Sequence, residues 1–337
     1  MATTEFDPDA PGTAGSGLFG LPHTVDEAAV VVIPVPFEAT TSYGRGTARA
    51  PARILEASRQ VELNDPQTGE PWRAGVAMAP IDPDIERWND QACADALPIV
   101  EAGGAATPEL QARLQRVNAV GAELNRRVFD HTRRVIGRGQ IPGILGGDHS
   151  VSFGAIEAAA QKWPGMGILH VDAHADLREA YEGFTWSHAS ILYNVHERIP
   201  NLGPIVQVGI RDFGVAEAKR IEEWPDLTAF TDAEIAWELG SGESWMRLAG
   251  RVVRPLPSKV WVTFDVDGLD PSLCPATGTP VPGGLSWRDA LLLLQLLAEE
   301  HQIVGFDLVE TGDAEWDANV AARLLYKLSG WAINTRR

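Results

Sequence analysis

The sequence predicts a single α/β domain built as a three-layer α/β/α sandwich around a mostly parallel sheet. Short apolar runs alternate with amphipathic stretches, and runs that are apolar throughout suit strands buried on both faces. Several of these runs stop abruptly at Asp or His, and open parallel sheets place their sites at strand carboxyl ends. No internal repeat or low-complexity linker divides the 337 residues, a length that one large α/β domain accommodates.

In chain order, residues 1–28 are polar with several Gly and Pro, and are expected to form a flexible arm or an oligomer contact. The domain then spans 29–337. Its first strand is the β-branched run Ala29-Val-Val-Val-Ile-Pro-Val, and Pro51 opens a helix through Ser58. The loop between them, with Tyr43, Arg45 and paired Gly, reads either as a substrate wall or as a surface crossover. Residues 64–106, with scattered Pro and Gly, read as irregular. Thr107, Pro108 and Glu109 then supply an N-cap, a first-position proline and a first-turn acid. Leu110, Leu114, Val117, Val120, Leu124 and Val128 follow at helical spacing, until Gly137 or Gly139 ends the helix.

Strand and helix alternate from there. Strands are expected at 141–145, 166–171, 204–209, 259–264 and 302–308. Helices are expected after a Ser150 cap, near 188–196 and 215–223, from a Ser286 cap to Glu300, and from about Asp317 to Leu328. Residues 224–258 read as less regular.

Composition narrows the function classes. The net charge is −18, from 46 acidic against 28 basic residues, which argues against nucleic acid or an anionic membrane as partner. A cationic substrate suits that balance, although acidic surfaces also serve solubility. No apolar run is long enough to span a bilayer, and the acidic N-terminus lacks the basic and apolar regions of a signal peptide. Cys93 and Cys274 form no disulfide framework, so a cytoplasmic location is expected.

The chemistry concentrates at three strand ends. Asp172, His174 and Asp176 alternate, so an extended backbone points all three to one face. Gly146-Gly-Asp148-His149-Ser150 and Asp265-Val-Asp267-Gly-Leu-Asp270-Pro271 end two other apolar runs. Alone, the first could be a capped turn and the second a helix start. Together, parallel strands would bring His149, Asp172, His174, Asp176, Asp265 and Asp267 to one sheet edge. That many carboxylates share a partly buried site only if divalent charge neutralises them. Hard oxygens, two imidazoles and no thiolate favour manganese-like ions over structural zinc, with ligands enough for two ions. A water held between two such cations becomes a hydrolytic nucleophile at neutral pH.

These motifs, in this order and spacing, resemble the ureohydrolases: arginase, agmatinase, formiminoglutamase and relatives. The similarity runs from Val30 onward. Thr40-Thr-Ser-Tyr43-Gly, Asp176-Leu-Arg178, Ser187-His188-Ala and Gly278-Thr-Pro-Val-Pro-Gly-Gly284 look most like bacterial and archaeal agmatinases. The resemblance implies an arginase-like fold, two Mn(II) per chain with Ni, Co or Fe as substitutes, and a homo-oligomer, trimer or hexamer. It implies one ion held by His149, Asp172, Asp176 and Asp265, and the other by Asp172, His174, Asp265 and Asp267. Asp176 would pass a proton to the departing amine, His188 would shuttle protons, and Glu310 would grip the guanidinium. The implied reaction converts a small cationic guanidino substrate, agmatine foremost, to urea and an amine. Other readings are guanidinobutyrate, guanidinopropionate, arginine, guanidine or formiminoglutamate as substrate, or a non-catalytic subunit of the same fold. In the loop 177–187, Glu179 and Glu182 could bind a distal ammonium. Arg178 could instead bind a carboxylate or pair with Glu182.

Overall fold

Each buried strand divides its side chains between two faces, and this organises the computed structural model, which describes residues 6–13 and 15–336. Val30 and Val32 of the first strand enter one apolar cluster, while Val31 and Ile33 enter a second on the opposite face. Eight parallel strands make one sheet: β1 (Val30–Val35), β2 (Val76–Met78), β3 (Ile141–Gly146), β4 (Gly167–Val171), β5 (Ile205–Ile210), β6 (Leu227–Thr231), β7 (Lys259–Asp265) and β8 (Gln302–Val309). Their spatial order is β2-β1-β3-β8-β7-β4-β5-β6. The two strands that come last in sequence therefore separate β3 from β4 and complete the middle of the sheet.

Helices α1 (Ala50–Ala57), α8 (Trp245–Val253), α9 (Trp287–Glu300) and α10 (Glu315–Asn334) cover one face. Helices α2 (Pro83–Glu101), α3 (Pro108–Gly137), α4 (Phe153–Lys162) and α5 (Ile191–Arg198) cover the other. The shorter α6 (Val215–Glu223) and α7 (Asp232–Gly240) flank β6. The result is the expected three-layer α/β/α architecture, with every strand pairing parallel. Two expected caps form as read: the hydroxyl of Thr107 accepts from the Leu110 N–H at 3.2 Å, and that of Ser286 from the Asp289 N–H at 3.2 Å.

Other expectations need correction. Residues 64–106 are not irregular; they hold β2 and α2. Asp82 caps α2 and Pro83 takes its first turn, where a missing N–H costs nothing. Pro98 lies inside that helix and cannot donate to the carbonyl of Ala94, which accepts instead from Arg113 of α3 at 3.5 Å. Likewise 224–258 contains β6, α7 and α8, and α10 begins earlier and ends later than expected. Asp148, not Ser150, caps the turn after β3, accepting from the Ser150 N–H at 3.1 Å.

Residues 1–5 and 14 of the expected arm lie outside the described residues. Further along the segment, Leu18, Phe19 and Leu21 are buried in the core, and Phe19 meets the ring of Tyr326 edge-on at 4.8 Å. No helix among the described residues is long and apolar enough to cross a membrane.

Candidate metal centre

The carboxyl ends of β3, β8, β7 and β4, four neighbours in the middle of the sheet, carry the candidate site. Close approach of main chains makes this edge possible. At Gly147 the chain turns so tightly that any Cβ would collide with the carbonyl of Phe37, which accepts from the Asp148 N–H at 2.8 Å. Two site residues adopt left-handed backbone, Asp176 at φ 55° and Glu310 at φ 60°. Such conformations are costly for non-glycine residues and persist only where the surroundings enforce them. Here the carbonyl of Asp176 accepts from Leu192 and Tyr193 of α5, and that of Glu310 from the Thr277 hydroxyl at 2.7 Å.

Two groups of ligand atoms converge. His149, His170, Asp172 and Asp176 form one; Asp172, His174 and Asp267 form the other, so Asp172 belongs to both. Nδ1 of His149 stands 3.1 Å from Asp172, 3.1 Å from Asp176 and 3.5 Å from Asp265. Nδ1 of His174 stands 3.0 Å from Asp267 and 3.5 Å from Asp172. All six sequence-derived ligand candidates therefore meet at one place.

The test of whether these residues suit a cation is the hydrogen-bond state of His149. Its Nε2 donates to the Thr263 hydroxyl at 2.8 Å, which donates to Asp307 at 2.7 Å; Asp307 also accepts from the Trp261 indole at 2.6 Å. That chain makes Nε2 the donor, so the neutral ring presents its Nδ1 lone pair to the carboxylate oxygens, and this buried nitrogen has no hydrogen-bond partner of adequate geometry. A lone pair and several anionic oxygens aimed at one point suit a metal ion.

His170, by contrast, is not set up as a ligand. The Gln207 amide nitrogen, oriented by the Ala175 carbonyl at 2.7 Å, donates to His170 Nδ1 at 2.9 Å. The proton therefore sits on Nε2, which donates to Asp172 at 2.8 Å. Sequence reasoning passed over His170, although it extends the alternation of Asp172, His174 and Asp176 back by one step.

Electrostatics tell the same story. Burial, followed by the charge of Asp172, pushes Asp176 up to about 6. Burial, then Asp267 and Asp172, push Asp265 well above the carboxylate range. Burial opposes charge on His174, yet Asp267 and Asp172 raise it to about 12. Burial likewise opposes charge on His149, but Asp172, Asp176 and Asp265 raise it well above an ordinary imidazole. Without cations the site holds protons, which metal binding would displace.

His188 and Glu310 flank this cluster. Thr40 Oγ1 lies 3.3 Å from His188 Nδ1 and accepts from the His188 main-chain N–H at 3.1 Å. Burial, then the charges of His174 and His149, lower His188 to about 4. Glu310 accepts from the main-chain N–H of His149 at 2.8 Å, and burial followed by Asp148 raises its carboxyl well above the usual range.

A cavity of about 190 Å³ opens over the site, lined among others by His174, Asp176, His188, Tyr181, Arg178 and Thr279. Glu179 and Glu182 do not line it; the acids further out are Asp212 and Glu217. Arg178 does not pair with Glu182. Its Nε meets Glu217 at 3.4 Å and its guanidinium lies 4.8 Å from the Tyr181 ring centre. Glu217 also accepts from Leu177 at 3.0 Å and Gly214 at 2.7 Å, which ties the loops after β4 and β5 together. Nothing local to the loop 177–187 could have revealed Glu217 as the partner.

Asp176 supplies a test of the electrostatics. A carboxyl raised on folding contributes stability that is present below about pH 4 and lost as pH rises through its folded value, here about 6. Metal-free Asp176→Asn should therefore exceed wild type in stability at neutral pH by on the order of 1 kcal/mol, the gap closing towards about pH 4. Urea unfolding across that range checks it; a wild type more stable than the variant at neutral pH would refute the reasoning.

The sequence model of the arginase family matches residues 28–329. An N(1)-aminopropylagmatine ureohydrolase of Thermus thermophilus is 32% identical over 308 residues, covering 90% of each chain. The agmatinase of Pyrococcus horikoshii is 28% identical over 319 residues, 91% of this chain and 94% of that one. The crystal structure of the agmatine ureohydrolase of Thermoplasma volcanium superimposes with a TM-score of 0.71 at 25% identity, covering 96% of both chains. A site legible from three strand ends, an eight-stranded parallel sheet and a match over nearly the whole length agree: the chain belongs to the arginase family of hydrolases.

Proposed function

We propose that this chain hydrolyses agmatine to urea and putrescine at a dinuclear centre of Mn(II)-type ions. The observation that carries the reading is the pair of ligand groups sharing Asp172, with an orphaned His149 lone pair aimed between carboxylates. His149, Asp172, Asp176 and Asp265 would hold one ion; Asp172, His174, Asp265 and Asp267 would hold the other. When bound, such ions supply the positive charge that acidifies water and polarises the guanidinium carbon.

The remaining steps belong to the protein. Glu310, buried beside the His149 main chain, gains a favourable partner when a guanidinium enters and returns it to the carboxylate form. Asp176, 3.1 Å from His149 Nδ1 and on the cavity wall, stands where it can hand a proton to the departing amine nitrogen. His188 sits on the cavity wall with its Nδ1 3.3 Å from Thr40 Oγ1, a position from which an imidazole can relay a proton between the cluster and solvent.

At the far end, Arg178 is engaged by Glu217, whereas the exposed carboxylate of Asp212 lines the cavity. A distal ammonium finds its counter-charge there, and Tyr181 and Phe213 flank the methylene chain. A second reading, an agmatine extended at its amine, is favoured by the same exposed Asp212 at the mouth and by the name of the Thermus relative.

Metal content, turnover and substrate preference each bear on the proposal. Asp172→Ala should remove both ions together, measured as metal per chain; retention of one full equivalent would contradict the shared ligand. His188→Asn should cut kcat while metal content holds, and loss of metal in that variant would give His188 a different role. In a panel of agmatine, its aminopropyl derivative, arginine, guanidinobutyrate, guanidinopropionate, formiminoglutamate and guanidine, agmatine should show the highest kcat/KM for urea release. Asp212→Asn should raise its KM by about tenfold, the loss of one charged hydrogen bond. Preference for a guanidino acid would overturn the substrate assignment.

A further inference from the structure

Arg211, on the turn after β5, belongs to neither ligand group, and its side-chain hydrogen bonds all end on main-chain carbonyls. Nη1 donates to Gly209 at 3.0 Å, and Nη2 to Asp267 at 2.6 Å, Val281 at 2.9 Å and Leu269 at 3.3 Å. Nε reaches Val281 as well, at 3.3 Å. The main-chain N–H of Arg211 donates to the Ala173 carbonyl at 2.7 Å, and the Ala173 N–H donates to Oδ1 of Asp267 at 3.0 Å. These bonds close a circuit through Ala173, Asp267 and Arg211, lacing the ends of β4, β7 and β5.

Two members of that circuit touch the group formed by His174 and Asp267: Ala173 precedes His174, and Asp267 is the group's carboxylate. Arg211 makes no bond to His149, Asp172 or Asp176. Its charge is spread over carbonyl dipoles rather than neutralised by an acid, so it braces the turn without drawing a carboxylate away from the cluster. The route for the guanidinium is kept open by Gly284, at φ +95°, where a Cβ would lie 2.9 Å from Nη2. Through Val281 the same side chain fixes the loop carrying Thr279, whose hydroxyl lies 3.4 Å from Oδ2 of Asp267 and which lines the cavity.

We propose that Arg211 is a positioning residue for one of the two metal positions, the one built on His174 and Asp267, and for the Thr279 wall beside it. The inference rests on the dinuclear reading above. Partners that orient a ligand from behind are worth about 10–100-fold in metal affinity. The full-length chain is dialysed to equilibrium against graded free Mn(II), and bound metal is measured by atomic emission. Wild type should take up two ions. Arg211→Ala should bind the first with unchanged affinity and the second about 10–100-fold more weakly. Arg211→Lys, whose single nitrogen cannot reach Gly209, Asp267 and Val281 together, should weaken the second ion by less. A loosened Thr279 wall should raise the substrate KM of Arg211→Ala even at saturating Mn(II), which a loss of metal alone would not do. Should circular dichroism show Arg211→Ala unfolded, Arg211→Lys carries the same comparison. Two ions held with unchanged affinity in the variants, or both weakened equally, overturn this inference and leave the dinuclear reading standing. Fewer than two ions in wild type overturns both.

Discussion

Burying Asp172, Asp176, Asp265 and Asp267 at one sheet edge is the constraint around which the molecule is arranged. Like charges in a dry environment repel strongly, and removing each from water carries its own penalty. The surrounding residues answer it by supplying donors from behind. His170 donates to Asp172, the Asp267 N–H to Asp265, and Ala173 to Asp267. The next layer, Asp148 and Asp307, is satisfied by Ser150, Thr40, Trp261 and Thr263. Oxygens turned inward are left facing one another and the His149 lone pair. The outward donors and inward lone pairs together make the edge a receptor for cations rather than a failed salt-bridge network.

Much of this was legible in the sequence because strand periodicity is local. Alternation of Asp172, His174 and Asp176 specifies a shared face without knowledge of any other strand, and the three motifs each end an apolar run. Pairing is not local, so the insertion of β8 and β7 between β3 and β4 could not be read from pattern. The same holds for Gln207, Thr263 and Asp307, buried polar residues that act only through partners on neighbouring strands. Helix α2 was obscured by its own prolines: Pro83 at a helix start and Pro98 compensated by Arg113 both mimic irregular chain. Arg178 illustrates the limit most clearly. Its partner, Glu217, lies in the first turn of α6, and no spacing rule connects the two.

Chemistry and recognition are carried by different parts of the fold. The ligand candidates lie at or within a few residues of the ends of β3, β4 and β7, with Asp265 the one inside a strand, whereas the cavity's outer wall comes from further along the loops after β4 and β5. Glu217 fastens those loops to one another through Leu177, Gly214 and Arg178. Substitutions at Arg178, Tyr181, Asp212 or Phe213 can therefore reshape what enters the cavity without moving a ligand. Such a division lets one catalytic edge serve substrates that share a guanidinium and differ beyond it.

The strand order has a consequence for how the protein is made. A ribosome releases β1 to β6 before β7 and β8, so the emerging chain first owns two separate half-sheets, each with an open inner edge. Those edges, on β3 and β4, are buried and mostly apolar in the finished sheet, and unpaired apolar edges recruit other chains. Closure awaits the last stretch of the polypeptide, which also delivers Asp265 and Asp267. A full set of ligand candidates therefore exists only once synthesis has passed β7, the same point at which the two half-sheets can begin to join.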